Sequence, residues 1–268
     1  MRKFKCLLIG AAFLFLSQYA YAAEPPAVTA EAVIVMDAEN ARVICARNAF
    51  EARPPASLTK VLTAIVALDM ANLQEICTVS PNAAATIESH VGLKAGERIY
   101  LEEVLYGVLL RSGNDACVAI AEHLGESETH FAQMMNLKAD ILGCVNTNFV
   151  NSNGLPEEKH YSCAYDLALM TRYALTNEKF REIVSREEYT MHWIGGRTKN
   201  IRNTNRLLYV YDGAIGVKTG TTNEAGQCLI AAAEREGRCY IAVVLKSKDR
   251  FTDCSKLLDY AFSLKEQE

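Results

Sequence analysis

The chain has 268 residues, 50% of them hydrophobic and 22% charged, with a formal net charge of −4. That length and balance support a sizeable buried core and exclude disorder as the default state. The acidic balance gives no support for nucleic-acid binding, which needs a basic face.

At the start, Arg2, Lys3 and Lys5 precede an uncharged apolar run from Cys6 to Leu16 and then the small-residue pattern Ala20-Tyr21-Ala22. That is the pattern of a secretory leader over residues 1–23, with residues 24–268 expected to form a single exported domain. The apolar run is shorter than the roughly 20 residues a membrane-spanning helix needs, and no second such run follows, so no lasting anchor is expected. Cys6 leaves with the leader, and eight cysteines remain. An even number in an exported protein leaves disulfides open, but a chain of this size needs no covalent staples, so buried thiols are the expectation.

Two short strands are predicted at 32–37 and 41–46, around the turn-prone Ala38-Glu39-Asn40. After Pro54-Pro55, residues 57–70 (SLTKVLTAIVALDM) are apolar on most faces, too long for a typical strand and opened by a serine, which predicts a largely buried helix. From 72 to about 186 helical patterns dominate, at 101–111, 115–124, 128–142 and 165–175. Strand character returns at 214–219, 227–235 and 238–246, and an amphipathic helix closes the chain from about 251 to 264. Strands at both ends with helices between predict an α/β fold of the α+β type. It is one antiparallel sheet flanked by helices, with an inserted helical subdomain. A hairpin turned at Glu236-Gly237 would set Cys239 opposite Glu234 rather than Cys228.

Three short motifs can carry chemistry. Ser57-Leu58-Thr59-Lys60 sets a hydroxyl and an amine one helical turn apart on one side, close enough to share a proton. Lys60 can accept that proton only if its pKa falls, which burial, a second cation and the positive end of a helix all favour. Alone the motif is weak, because a Ser-x-x-Lys arises about once by chance in a chain of this size and also reads as a helix cap before a surface lysine. Ser112-Gly113-Asn114 falls between two predicted helices, where it can simply turn the chain or can present a hydroxyl and an amide at a cleft. A rival Ser-x-Asn at Ser80-Pro81-Asn82 reads more simply as a helix start. Lys218-Thr219-Gly220 ends a predicted strand, where glycine permits close backbone approach and the two side chains can hold a carboxylate. The three follow in order, 55 and 106 positions apart, and the conjunction is far stronger than any member.

With these motifs the sequence resembles the low-molecular-mass serine D-alanyl-D-alanine carboxypeptidases, the penicillin-binding relatives of class A β-lactamases. The likeness runs through PPASLTK (54–60), GLKAGERIYLEEVLYGVLLRSGNDACVAIAEHLG (92–125), NSNGLPEEKHYSCAYDLALMTRYAL (151–175), NTNRLL (203–208) and GVKTGTTNEAGQCLIAAAEREG (216–237). The resemblance implies a penicillin-sensitive peptidase that removes the terminal D-alanine from peptidoglycan stem peptides, with no metal or organic cofactor. It implies Ser57 as nucleophile, Lys60 as its base, Ser112 as proton relay and Asn114 as a contact to substrate and to Lys60. Lys218 and Thr219 would grip the terminal carboxylate beside Gly220, and the N–H groups of Ser57 and Thr221 would form the oxyanion hole. Cys117 would pack near the site without catalysing. The family's frequent β-rich C-terminal domain and membrane-binding tail are not expected, because only residues 251–268 follow the last strand.

Rival readings are a D,D-endopeptidase using the same groups, a class A β-lactamase, and a non-catalytic wall-binding module. The β-lactamase reading lacks the Asp at the second motif, where Gly113 stands, and the Glu-x-x-Leu-Asn context, which neither Glu157 nor Glu158 occupies. A metallopeptidase would need clustered ligands, whereas His90, His123, His130, His160 and His192 are scattered.

Overall fold

The computed structural model describes residues 24–264, so the expected leader at 1–23 lies outside the described residues. Strands β1 (Ala32–Asp37) and β2 (Val43–Arg47) open the fold. The second starts two residues later than predicted because Ala41 takes a left-handed φ of 62° in the connecting turn, which no strand can accommodate. A 3-10 turn (Ala56–Thr59) then runs into α1 (Lys60–Met70), so the predicted helix from Ser57 has a tighter first turn. Every residue of α1 from Lys60 to Ala67 is buried, which is why its sequence is apolar on most faces.

The span predicted to be helical contains β3 (Ile76–Thr78), α2 (Pro81–Ala85), β4 (Arg98–Tyr100), α3 (Leu101–Leu109), α4 (Asn114–Gly125), α5 (Glu128–Ile141), α6 (Ala164–Ala174) and α7 (Glu178–Ser185). Its helical character holds, with a three-residue β3–β4 ladder stitched in. The Ser80-Pro81 signal is a helix start: Ser80 Oγ accepts from Ala83 N at 2.9 Å, and Pro81 is the first helical residue. A hairpin not anticipated from the sequence follows, β5 (Glu188–His192) with β6 (Thr198–Arg202). Only Met191 and Ile201 on it are fully buried, so its apolar alternation is faint. Gly195-Gly196 between its strands was the signal available.

After α8 (Leu207–Val210), strands β7 (Ala214–Thr222), β8 (Gly226–Arg235) and β9 (Arg238–Ser247) lead to α9 (Arg250–Ser263). The main sheet runs β2-β1-β9-β8-β7, antiparallel throughout, so both ends of the chain complete one sheet as expected. Its central strands are apolar on both faces because each face is covered. Val33, Val35, Ala242 and Val244 pack with Leu257, Leu258 and Ala261 of α9. Ile34, Met36, Ile241 and Val243 instead face the core built by α1 and α3 to α6. Cys239 pairs with Glu234, as the hairpin register requires. The eight cysteines of the described residues are free thiols, six of them buried.

The segment before β1 is tied to α9 by one carboxylate. Asp253 accepts from Thr29 N at 3.0 Å, Thr29 Oγ1 at 2.7 Å, Ala30 N at 2.9 Å and Ser247 Oγ at 2.6 Å. Burial raises its pKa, but these hydrogen bonds to the charged form outweigh burial and hold it below the usual aspartate range. Asp253→Ala strands several buried donors and is expected to cost about 3 kcal/mol, read as a lower urea midpoint at unchanged m-value.

Candidate active site

Ser57 enters the site on a strained turn. Ala56 has a left-handed φ of 49°, and its carbonyl oxygen lies against Gly154, where an added Cβ would sit 2.0 Å away. Gly154 itself has a φ of 87°, so backbone conformation and space both require glycine there. Thr59 Oγ1 donates to Ala56 O at 2.9 Å and bonds His160 Nε2 at 2.8 Å. His160 Nδ1 accepts from Val150 N at 3.2 Å, which puts the ring proton on Nε2 and makes it the donor to Thr59. Burial, with Lys60 nearby, pushes the His160 pKa down to about 4, so the ring is neutral at pH 7.

Lys60 is fully buried on the first turn of α1. Its Nζ lies 2.8 Å from Ser57 Oγ, 2.8 Å from Asn114 Oδ1 and 2.6 Å from Asn153 O. Two of these partners are carbonyl oxygens, which only accept. A neutral amine has two hydrogens and one lone pair, so the two carbonyls take its hydrogens and leave the lone pair facing the Ser57 hydroxyl. Burial is the largest influence on this amine and lowers its pKa toward that neutral state, against weaker raising by Cys117, Asp115 and Glu88. The arrangement can therefore take a proton from Ser57.

Asn114 opens α4 directly after the Ser112-Gly113 turn, with Ser112 at a φ of 64°. Asp115 holds the loop in front of it by accepting from Val91 N, Gly92 N and Leu93 N at 3.0, 2.8 and 2.9 Å. The Ser112 hydroxyl makes no hydrogen bond among the described residues, and so is not joined to either lysine. On the opposite wall, β7 passes close to the nucleophile: a Cβ on Gly220 would lie 3.1 Å from Ser57 N and 3.1 Å from Pro55 O. Thr221 follows at the edge, exposed to solvent.

Lys218 is 1% exposed and donates to Thr219 O at 3.0 Å. Burial first, and the neighbouring Lys60 amine second, hold its pKa well below the ordinary lysine value. Thr219 Oγ1 bonds Thr204 Oγ1 at 2.7 Å. A cation the sequence reading missed stands beside the next two residues of β7. Arg250, the first residue of α9, donates to Gly220 O at 2.9 Å and Thr221 Oγ1 at 2.7 Å, while its Nε is buried without a partner. The structure thus joins Ser57, Lys60 and Asn114 by direct bonds and sets Gly220, Thr221 and Arg250 across from them. It adds Asn153, Gly154, His160 and Arg250 to the predicted set. Asn153 acts through its backbone, for which a sequence offers no signal. Gly154 stood in a recognised block, NSNG, without an assigned role. Among the described residues no group of three or more His, Cys, Asp or Glu side chains could hold a metal ion, and no helix is long and apolar enough to cross a membrane.

An antiparallel sheet with a helical subdomain, and between them a half-buried serine hydrogen-bonded to a buried lysine, defines a serine peptidase of the penicillin-binding fold. The family profile described as D-alanyl-D-alanine carboxypeptidase matches residues 19–249. The D-alanyl-D-alanine carboxypeptidase DacF of Bacillus subtilis (strain 168) is 36% identical over 276 residues, spanning 98% of this chain and 71% of that protein. DacC of Escherichia coli (strain K12), with the same description, is 37% identical over 279 residues, 96% of this chain and 68% of that one. The solved D-alanyl-D-alanine carboxypeptidase of Mycobacterium tuberculosis H37Rv superposes with a TM-score of 0.88 at 32% identity, over 92% of this chain and 96% of that one. The chain belongs to the D-alanyl-D-alanine carboxypeptidase family and is a serine D-Ala-D-Ala carboxypeptidase.

The His160 ring gives the site a pH signature. Its folded pKa lies below the unfolded value near 6.5, so its contribution to stability is complete above about pH 6.5 and is lost as pH falls toward about 4. The loss is expected to reach about 3 kcal/mol. Urea midpoints measured across that range should fall for the parent and flatten in His160→Gln.

Proposed function

We propose that Ser57 is the nucleophile and Lys60 its general base in removing the terminal D-alanine from peptidoglycan stem peptides. The observation that carries this reading is the partner set of the Lys60 amine, two carbonyl oxygens and the Ser57 hydroxyl. Ser57 Oγ bonds to the carbonyl carbon of the penultimate D-alanine and gives its proton to Lys60 Nζ. The N–H groups of Ser57 and Thr221 hold the resulting oxyanion, a role favoured by the close passage of Gly220. Collapse breaks the peptide bond, and the leaving amine takes a proton through Ser112, whose hydroxyl is uncommitted. Water then attacks the Ser57 ester, releasing the shortened peptide and restoring the hydroxyl. No metal or organic cofactor enters this sequence.

In this reading Asn114 supports both Lys60 and the substrate backbone, and Thr219 with Arg250 receives the terminal carboxylate. Lys218 lies behind them, fixing Thr219 through its carbonyl. Residues 1–23 act as a cleaved export leader and residues 24–268 as one catalytic domain working outside the cytoplasmic membrane. The basic, apolar and small-residue succession at the start of the chain supports that assignment.

β-Lactams mimic the D-Ala-D-Ala terminus and acylate the same serine. No carboxylate hydrogen-bonds Ser57 or Lys60 among the described residues, which favours slow loss of the adduct. Benzylpenicillin is expected to leave a lasting adduct in intact-mass spectra that Ser57→Ala abolishes together with D-alanine release. Rapid turnover of penicillin without an adduct would instead point to a β-lactamase. Arg250→Leu removes a charged contact worth roughly 1.5–3 kcal/mol and is expected to lower kcat/KM on D-Ala-D-Ala peptides about 10- to 100-fold.

A further inference from the structure

Beyond the carboxylate grip the cleft opens into a second space. A cavity of about 890 Å³ begins at Thr204, Thr221 and Arg250 and is walled by β6, α8, the turn after β9 and the start of α9. A single D-alanine side chain, one methyl group, leaves such a volume empty. The wall carries four cations, Arg202, Arg206, Lys248 and Arg250, in a chain whose net charge is −4. Its one carboxylate, Asp249, is turned away into the cap of α9, accepting from Thr252 N at 3.3 Å and Thr252 Oγ1 at 2.7 Å. Arg206 and Lys248 are exposed, and neither has a carboxylate within 4.0 Å among the described residues. Arg202 reaches only the exposed Glu188, at 3.4 Å. The aromatic rings of Tyr209 and Phe251 brace the cations, with the Arg202 guanidinium 4.6 Å and that of Arg206 5.8 Å from the ring centres.

Four cations around an open space, with their nearest acid engaged elsewhere, make a site for an anion. Its position gives the anion's source. With the scissile carbonyl at Ser57 and the terminal carboxylate at Thr219 and Arg250, whatever extends past that carboxylate belongs to the leaving residue. We infer that this groove is a leaving-residue subsite, accepting substrates whose terminal D-residue carries a second carboxylate beyond the one held by Arg250. That carboxylate can come from the side chain of a single acidic D-amino acid or from a peptide branch, as at a cross-link. The inference rests on the carboxypeptidase reading and extends it to the substrate's leaving end.

The test compares kcat/KM on N-acylated peptides ending in D-Ala-D-Ala, D-Ala-D-Glu and D-Ala-D-Gln, the last two differing only in charge. D-Glu is expected to exceed D-Gln about fivefold at low ionic strength, the sum of a few exposed ion pairs, and to lose the advantage at about 0.5 M salt. The double variant Arg206→Gln/Lys248→Gln is expected to abolish the D-Glu preference while hydrolysis of D-Ala-D-Ala and acylation by penicillin stay unchanged. A cross-linked peptide dimer and its amidated form make the second arm, and a charge preference there but not for D-Glu assigns the branched source. Equal rates for acidic and amidated substrates in both arms, with D-Ala-D-Ala cleaved normally, overturn the subsite and leave the carboxypeptidase reading intact. Absence of both D-Ala-D-Ala hydrolysis and penicillin acylation overturns that underlying reading instead.

Discussion

The structure depends on keeping one lysine amine out of water. Lys60 lies within the helical core, where a charged ammonium is costly, and its Nζ is held among Ser57 Oγ, Asn114 Oδ1 and Asn153 O. Helix α1 is buried along most of its length because it must carry that amine into the centre of the protein. The site's polar groups come from three separate places, the turn before α4, the NSNG loop and the first turn of α1. A shift of about 1 Å in any of them would break the set.

The Asn153 carbonyl is itself fixed by further bonds. Asn151 Oδ1 accepts from Gly154 N at 2.8 Å, and Glu128 Oε1 accepts from Ser152 N and Oγ at 3.1 and 2.7 Å, so the loop presents Asn153 O at a fixed position. The His160–Thr59–Ala56 chain does the same for the turn that carries Ser57. Across the cleft, Arg250 ties β7 to α9 at the rim of the basic groove. The sheet supplies one wall and the helical subdomain the other, and the chemistry sits where they meet.

Much of this was legible beforehand. The continuous apolar runs of β1, β9 and α1 gave the sheet and its central helix, because burial on both faces leaves a plain mark on composition. Ser57 and Lys60 were singled out by their i,i+3 spacing and Asn114 by its place in a turn between helices, within blocks that resemble a known family, and the structure joins the three by hydrogen bonds. The β5–β6 hairpin was missed because only Met191 and Ile201 on it are fully buried. The position of Arg250 beside Gly220 and Thr221 was not legible because it lies 30 or more positions from Lys218-Thr219-Gly220, at the start of a helix with no motif to mark it.

The sequence by itself determined the plan of strands at both ends with helices between, the three motifs and the chemical class of the enzyme, since these reside in residue types and in spacings along one helix or strand. Only the tertiary structure decided the protonation logic of Lys60, the support of Ser57 by His160, and the cationic groove beyond Arg250. Each of those depends on groups distant in the chain and, for Asn153 and Ala56, on backbone carbonyls that every residue possesses. Burial and hydrogen-bond direction, not residue identity, give such groups their roles.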